Sequence, residues 1–306
     1  MIEVLNLTKS FRRTVRTPGR LALIRSMVAK KYEEIRAIDN ISFTIGDGEI
    51  VGYIGPNGAG KSTTIKCLTG ILVPTAGDVR IGGFVPWKDR KLHVKRIGVV
   101  FGQRSQMQWD LPLIDSLEFM KDVYNIPKEI FKGNLEELTS TLGLKSFLNT
   151  PVRQLSLGQR MRGDLAASLL HSPEVLFLDE PTIGLDIVAK EELRHLSDLE
   201  ALCQRIIVID HGHVMFDGAI DQFNASYGGP RVLIVRLKDL SPVHLEGVDS
   251  VIQDGNQVRI SLWSETDLPE LMAQIMNSYP VADFALEEPS LEDSVRRIYQ
   301  SLSKEV

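Results

Sequence analysis

One nine-residue run, GPNGAGKST at Gly55–Thr63, limits what this chain can fold into more than any other. It holds three glycines, one lysine and two hydroxyls. Ahead of it, IVGYI reads as a buried strand. Behind it, TIKCLTGIL reads as a helix. A glycine-rich turn in that position lets main-chain N–H groups point inward and approach an anion without a Cβ clash. The helix adds the positive end of its dipole. GxxxxGKS between strand and helix is therefore a phosphate grip. Gly55, Pro56, Asn57, Gly58, Ala59 and Gly60 form the cradle. Lys61 is placed to reach the β- and γ-phosphates of a nucleotide, and Ser62 to set its hydroxyl on Mg²⁺. Thr63 and Thr64 add hydroxyls at the helix start.

The rest of the chain fits such a core. Residues 2–7 (IEVLNL) and 41–54 (ISFTIGDGEIVGYI) read as strands. So do 79–85, 97–101, 175–179 (VLFLD), 205–210 (RIIVID) and 214–218. Residues 63–72 and 159–171 read as helices, and 113–148 as helix-rich. Strands alternating with helices imply an α/β fold with a mostly parallel sheet. Between the first two strands, residues 12–36 hold eight basic residues and two acids, Glu33 and Glu34. Leu21, Ile24 and Met27–Val28 recur there at helical spacing. This reads as a basic insertion, either an amphipathic helix for a lipid surface or partner, or a solvated excursion. After Gly228-Gly229-Pro230 the composition shifts, and 229–306 reads as a small α+β accessory domain following a first domain of 1–228.

VLFLDEP, 175–181, ends an apolar strand in two carboxylates. At a strand's C-terminal edge the first, Asp179, can hold a metal or its water. The second, Glu180, can act as general base on an attacking water. Phosphoryl transfer needs positioning and charge stabilisation above all, so two acids beside a phosphate loop suffice for hydrolysis.

Bulk properties exclude other classes. A net charge of −5 argues against a nucleic-acid-binding surface over the whole molecule. No apolar run approaches the roughly 18–20 residues that cross a bilayer. MIEVLNLTKSF is strand-like rather than a leader. Cys67 and Cys203 lie far apart in apolar segments and read as buried reduced thiols. A cytoplasmic protein is expected, working at a membrane only through another chain.

With LSLGQRMRGDLAASLLHSP (155–173) just ahead of VLFLDEPTIGLD (175–186), the chain resembles the ATP-binding subunits of ABC transporters over residues 2–11 and 37–225. The resemblance implies a P-loop ABC ATPase core: a mostly parallel sheet, an antiparallel β subdomain and a helical subdomain at about 104–172, here with a small C-terminal α+β extension. It makes Gly55–Ser62 the Walker A loop and Val175–Asp179 the Walker B strand. Gln103 becomes the Q-loop glutamine, catalytic and on the metal with Ser62 and Asp179. Leu155, Ser156, Leu157, Gly158 and Gln159 become the signature, acting on a neighbouring subunit's nucleotide. Asp186 falls in the D-loop, and Phe11 at the aromatic position that stacks on adenine, with Tyr32 as the fallback. From the residues alone, Ser156 reads equally as a helix N-cap. The segment EEPSLED near the C-terminus resembles the extension of an exporter subgroup.

Two departures stand out. Leu157 occupies a position where the signature usually has glycine. In addition, GLDIVAKEELRH runs directly into LSDLEALCQRIIVID, so the strand expected to deliver a switch histidine is lacking. His195 is either that histidine or part of the helix EELRH. About 20 residues are expected to be absent near 194–196, because an empty slot in a parallel sheet exposes unpaired N–H and C=O groups.

The resemblance implies an ATPase whose copies form a homodimer around two Mg·ATP and drive a separate integral-membrane permease from the cytoplasmic face. The permease is expected to dock on roughly 104–150, where Trp109, Leu111 and Leu113 are candidate contacts or core residues. The alternative is a soluble ABC-type ATPase remodelling nucleic acid or ribosomes. It fits less well, because the chain carries one cassette and no sustained heptads.

Overall fold

The computed structural model describes residues 1–15, 31–102, 105–179, 203–227, 230–245, 248, 250–262, 267–287 and 297–298. The chain divides into two compact units, Met1–Asp217 and Gly218–Val306. Residues 220–227 thus group with the second unit, whereas the change of composition at Gly228 had placed them with the first.

In the first unit, β1 (Ile2–Val15) pairs antiparallel with β2 (Lys31–Ile45) on one side and β4 (Ala76–Ile81) on the other. The two long strands correct the expected insertion of 12–36. Arg12 and Arg13 lie opposite Glu34 and Glu33 in the ladder, so both ends of that segment are strand. Opposite charges across a ladder are favourable cross-strand pairs. Residues 16–30 lie outside the described part. The expected strand 41–54 is also two strands: β2 stops at Ile45, a turn follows at Asp47–Gly48, and β3 is Val51–Ile54.

Parallel pairing occurs in two pieces among the described residues. β3 pairs with β7 (Arg205–Asp210), which neighbours β8 (His213–Ala219). Separately, β5 (Ile97–Phe101) pairs with β6 (Val175–Asp179). β5 and β7 are short apolar runs and mostly buried, as suits inner strands of a parallel sheet. The β7–β8 turn is His211–Gly212, both with positive φ (45° and 82°), the signature of a tight two-residue hairpin.

The helices begin with α1 (Lys61–Leu68) and α2 (Arg90–Val94). A helical layer follows: α3 (Leu113–Tyr124), α4 (Lys128–Thr141) and α5 (Leu157–Leu169). Asn125 in the left-handed conformation ends α3, and Pro127 immediately precedes α4. The layer packs on Leu113, Leu117, Phe131, Leu144, Phe147 and Val152, each fully or nearly fully buried. Leu113 is therefore core, which removes it from the candidate docking residues. Trp109 and Leu111 remain exposed. α3 crosses α5 closely at Gly163, where an added Cβ would lie 2.9 Å from Leu113 Cδ1.

The second unit contains α6 (Ile220–Tyr227), β9 (Arg231–Leu237), β10 (Ser250–Asp254), β11 (Gln257–Leu262), α7 (Leu268–Ser278) and β12 (Val281–Glu287). Its sheet is antiparallel in the order β10-β11-β9-β12. Alternate residues Leu233, Val235, Leu237 and Val258, Ile260, Leu262 are buried with Leu271 and Ile275 of α7. That period of two is what a half-buried strand requires. Asp267 caps α7 by accepting from Glu270 N at 3.2 Å.

Candidate functional site: a nucleotide grip and its closing turn

The phosphate loop is braced by two elements outside itself, the β7–β8 turn and β2. Ala59 N donates to Pro56 O at 3.1 Å, and Ala59 O accepts from Gly212 N in the β7–β8 turn at 3.0 Å. Gly212 O in turn accepts from Asp39 N of β2 at 2.9 Å. Gly60 has φ +110°, and a Cβ there would sit 2.4 Å from Ala37 O, so only glycine fits. Gly60 is also the residue before α1, leaving the helix's first amides directed at the loop.

Within this frame Lys61 Nζ folds over the loop, donating to Gly55 O at 2.6 Å and Pro56 O at 3.0 Å. A triphosphate offers the ammonium stronger, charged acceptors at the same place. Ser62 Oγ lies 3.2 Å from Asp179 Oδ1, joining residues 117 apart in sequence. Thr64 is a correction: its hydroxyl is buried, donates to Gly60 O and accepts from Tyr53 OH, so it braces the helix instead of facing a ligand. Burial holds the Tyr53 phenol above its ordinary range, against the pull of that bond. Cys67 and Cys203 are buried free thiols, with Cys67 pushed up to about 11 by desolvation.

The second turn lies at the start of α5. Ser156 Oγ accepts from Gln159 N at 3.2 Å, and Gln159 Oε1 accepts from Ser156 N at 2.9 Å, a complete capping box. Both readings of Ser156 are compatible, because a hydroxyl that accepts one bond still has its own proton to donate. Leu157 is the first helical residue and packs beside Val100, Met161 and Leu165. A helical backbone and an apolar neighbourhood suit leucine, so the departure from glycine carries no strain. Leu155 and Gly158 are buried; Ser156 is exposed.

Phe11 sits on β1 opposite Ile35, 40% exposed, with Lys9 Nζ 5.2 Å from its ring centre. Tyr32 is exposed on β2 opposite Thr14. Gln103, Glu180, Asp186 and His195 lie outside the described residues. No group of three or more metal-binding side chains occurs among the described residues. The Ser62–Asp179 pair nonetheless suits a hard cation shared with phosphate oxygens, since Mg²⁺ sites use few protein oxygens.

Sequence inspection overlooked Asp164, an acid inside the apolar run DLAASLL. It is buried on α5, where it accepts from Gln106 N at 2.8 Å and Ser105 Oγ at 3.1 Å. Desolvation pushes its carboxyl up to about 6, against the pull of those bonds and of Arg160. Below about pH 4 both folded and unfolded chains hold the proton. Between about 4 and 6 only the folded chain does, so stability falls as pH rises through this window. We expect the stability of Asp164→Asn relative to the parent to grow across pH 4–6.5 by on the order of 2–3 kcal/mol, then level off. Denaturant titrations of both proteins at each pH measure this.

Comparison with known proteins agrees with this geometry. Residues 38–183 match the family model for ABC transporters, and 218–293 match the C-terminal domain of DrrA1-3-like ATP-binding proteins. The daunorubicin resistance ATP-binding protein DrrA3 of Streptomyces coeruleorubidus is 30% identical over 86% of this chain and 91% of its own. The chain belongs to the ABC transporter ATP-binding proteins. It is an ATP-hydrolysing ABC subunit, with the fold of that ATPase cassette. The ABC transporter ATP-binding protein NatA of Bacillus subtilis is 29% identical over 64% of this chain and 87% of the relative. Among solved structures, the dimeric ATP-binding cassette MJ0796 with ADP and phosphate is 25% identical, with a TM-score of 0.58 over 72% of this chain and 99% of that one.

Proposed function

We propose that two copies of this chain close on two Mg·ATP and drive a separate permease that exports drug-like solutes, working peripherally at the cytoplasmic face of the cell membrane. The observation that carries the nucleotide chemistry is the meeting of Ser62 and Asp179 at the mouth of a loop whose lysine already lies over it. Mg²⁺, held by Ser62, Asp179 and Gln103, would offset charge on the phosphate oxygens. Lys61 binds the β- and γ-phosphates, and the amides of Asn57 to Gly60 line the cradle. Glu180 accepts the proton of the attacking water, and Phe11 stacks on adenine. Ser156–Gln159 of the second copy seals the γ-phosphate side, with Asp186 at the join and His195 as the candidate switch histidine.

Export of drug-like solutes rests on the C-terminal match and on relatives named for drug resistance, among them the daunorubicin/doxorubicin resistance ATP-binding protein DrrA of Streptomyces peucetius, 32% identical over 71% of each chain. No described helix is long and apolar enough to span a membrane. In this reading the transport path belongs to another polypeptide. Affinity purification from detergent-solubilised membranes should recover a multi-spanning partner in fixed stoichiometry, and ATPase activity should rise when that partner is bound. Recovery with ribosomes or RNA alone would favour the remodelling alternative and end the exporter reading.

A further inference from the structure

Residues 105–109, which lead from the end of β5 toward α3, are held far more tightly than a connecting segment requires. Ser105 Oγ and Gln106 N both donate to Asp164 Oδ1. Ser105 Oγ also accepts from Met107 N at 3.1 Å, while the Gln106 side-chain amide donates to Val99 O inside β5. Gln108 N donates to Ser116 Oγ of α3 at 3.1 Å. One helical turn before Asp164, the Arg160 guanidinium lies 5.2 Å from the centre of the Trp109 ring. Arg160 and Asp164, four residues apart, share one face of α5, and the segment runs along it. An exposed connection could satisfy the same groups with water. Here they are satisfied by a carboxylate that is only 8% exposed, and burying a carboxylate costs stability unless something is gained.

The gain lies in what the two ends of this contact join. The segment begins two residues after Gln103. The helix is capped by Ser156, about two turns before Asp164. We propose that Asp164 is a positioning residue that fixes the segment following Gln103 to the helix carrying Ser156–Gln159, so that the glutamine serving one nucleotide and the turn sealing the neighbour's nucleotide move as one piece. Asp164 touches no nucleotide; it acts through Ser105 and the Gln106 amide. The inference rests on the roles proposed above for Gln103 and for the Ser156 turn.

The test uses the full chain with its permease. Asp164→Leu removes the acceptor, while Asp164→Asn keeps Oδ1 as an acceptor and exchanges the other, charged oxygen for an NH2 group. The leucine variant should lower kcat about ten-fold or more, as expected for losing two hydrogen bonds to a charged group, with the Kd for ATP unchanged within about two-fold. The asparagine variant should recover kcat to within about three-fold of the parent. In a Gln103→Ala background, Asp164→Leu should cost little more, because both changes disable one device. Equal losses in the leucine and asparagine variants, a Kd that rises as kcat falls, or additive losses with Gln103→Ala would each overturn the proposal. If Gln103→Ala alone leaves kcat unchanged, the role given to Gln103 fails first, and the coupling fails with it. Should Asp164→Leu not fold, Ser105→Ala carries the test. A kcat reduced about three-fold at constant ATP Kd supports the positioning role, and an unchanged kcat overturns it.

Discussion

Replacing Lys61 with methionine is expected to weaken ATP binding and to lower kcat/KM by about 10²–10⁴-fold. The ammonium already sits over the loop on Gly55 O and Pro56 O, 2.6 and 3.0 Å away. A β- and γ-phosphate pair would replace these neutral acceptors with charged ones. Each such bond contributes roughly 1.5–3 kcal/mol, and two of them amount to the stated range. The fold should tolerate the change, because methionine keeps the length of the stem and only two carbonyls at the loop surface lose a donor. Calorimetric titration with ATP, beside a thermal melt of the free protein, separates the two effects. Parent-like ATP affinity in the methionine variant would mean that the triphosphate is gripped elsewhere.

Replacing Glu180 with glutamine should leave ATP binding intact and reduce turnover about 10²–10⁴-fold, the range associated with loss of a general base. Glu180 directly follows Asp179, whose carboxylate lies 3.2 Å from Ser62 Oγ. Glutamine retains the size and hydrogen bonding of the side chain but cannot take up a proton. ATP should then hold two copies together. A dimer should accumulate in size-exclusion chromatography with ATP and dissolve when ATP is replaced by ADP. Turnover equal to the parent would remove Glu180 from the base role.

Both predictions start from motifs that are contiguous in sequence, which is why they were legible there. Gly55 to Ser62 carries its chemistry in main-chain amides and adjacent side chains, so eight consecutive residues specify it. VLFLD announces both a strand and the carboxylate at its end. The capping box at Ser156 is likewise local, spanning residues three apart. Strand boundaries were less legible. Residues 12–15 and 31–36 are charged and carry no apolar alternation, yet they pair as strands because β1 and β2 supply each other's partners. The 41–54 run looked continuous because its apolar residues outweigh the short turn at Asp47–Gly48 that splits it.

Taken alone, the sequence determined which groups can grip a phosphate, because a glycine-rich cradle, its lysine and the acids of a strand end are written in short consecutive runs. Tertiary structure alone decided which distant groups meet. It brought Ser62 to Asp179, braced the loop with Gly212, turned Thr64 inward and tied Asp164 to Ser105 and Gln106. The physical reason is that hydrogen bonds and desolvation act over a few ångströms of space, and the spacing of residues along a chain does not state which of them will be neighbours once the core has closed.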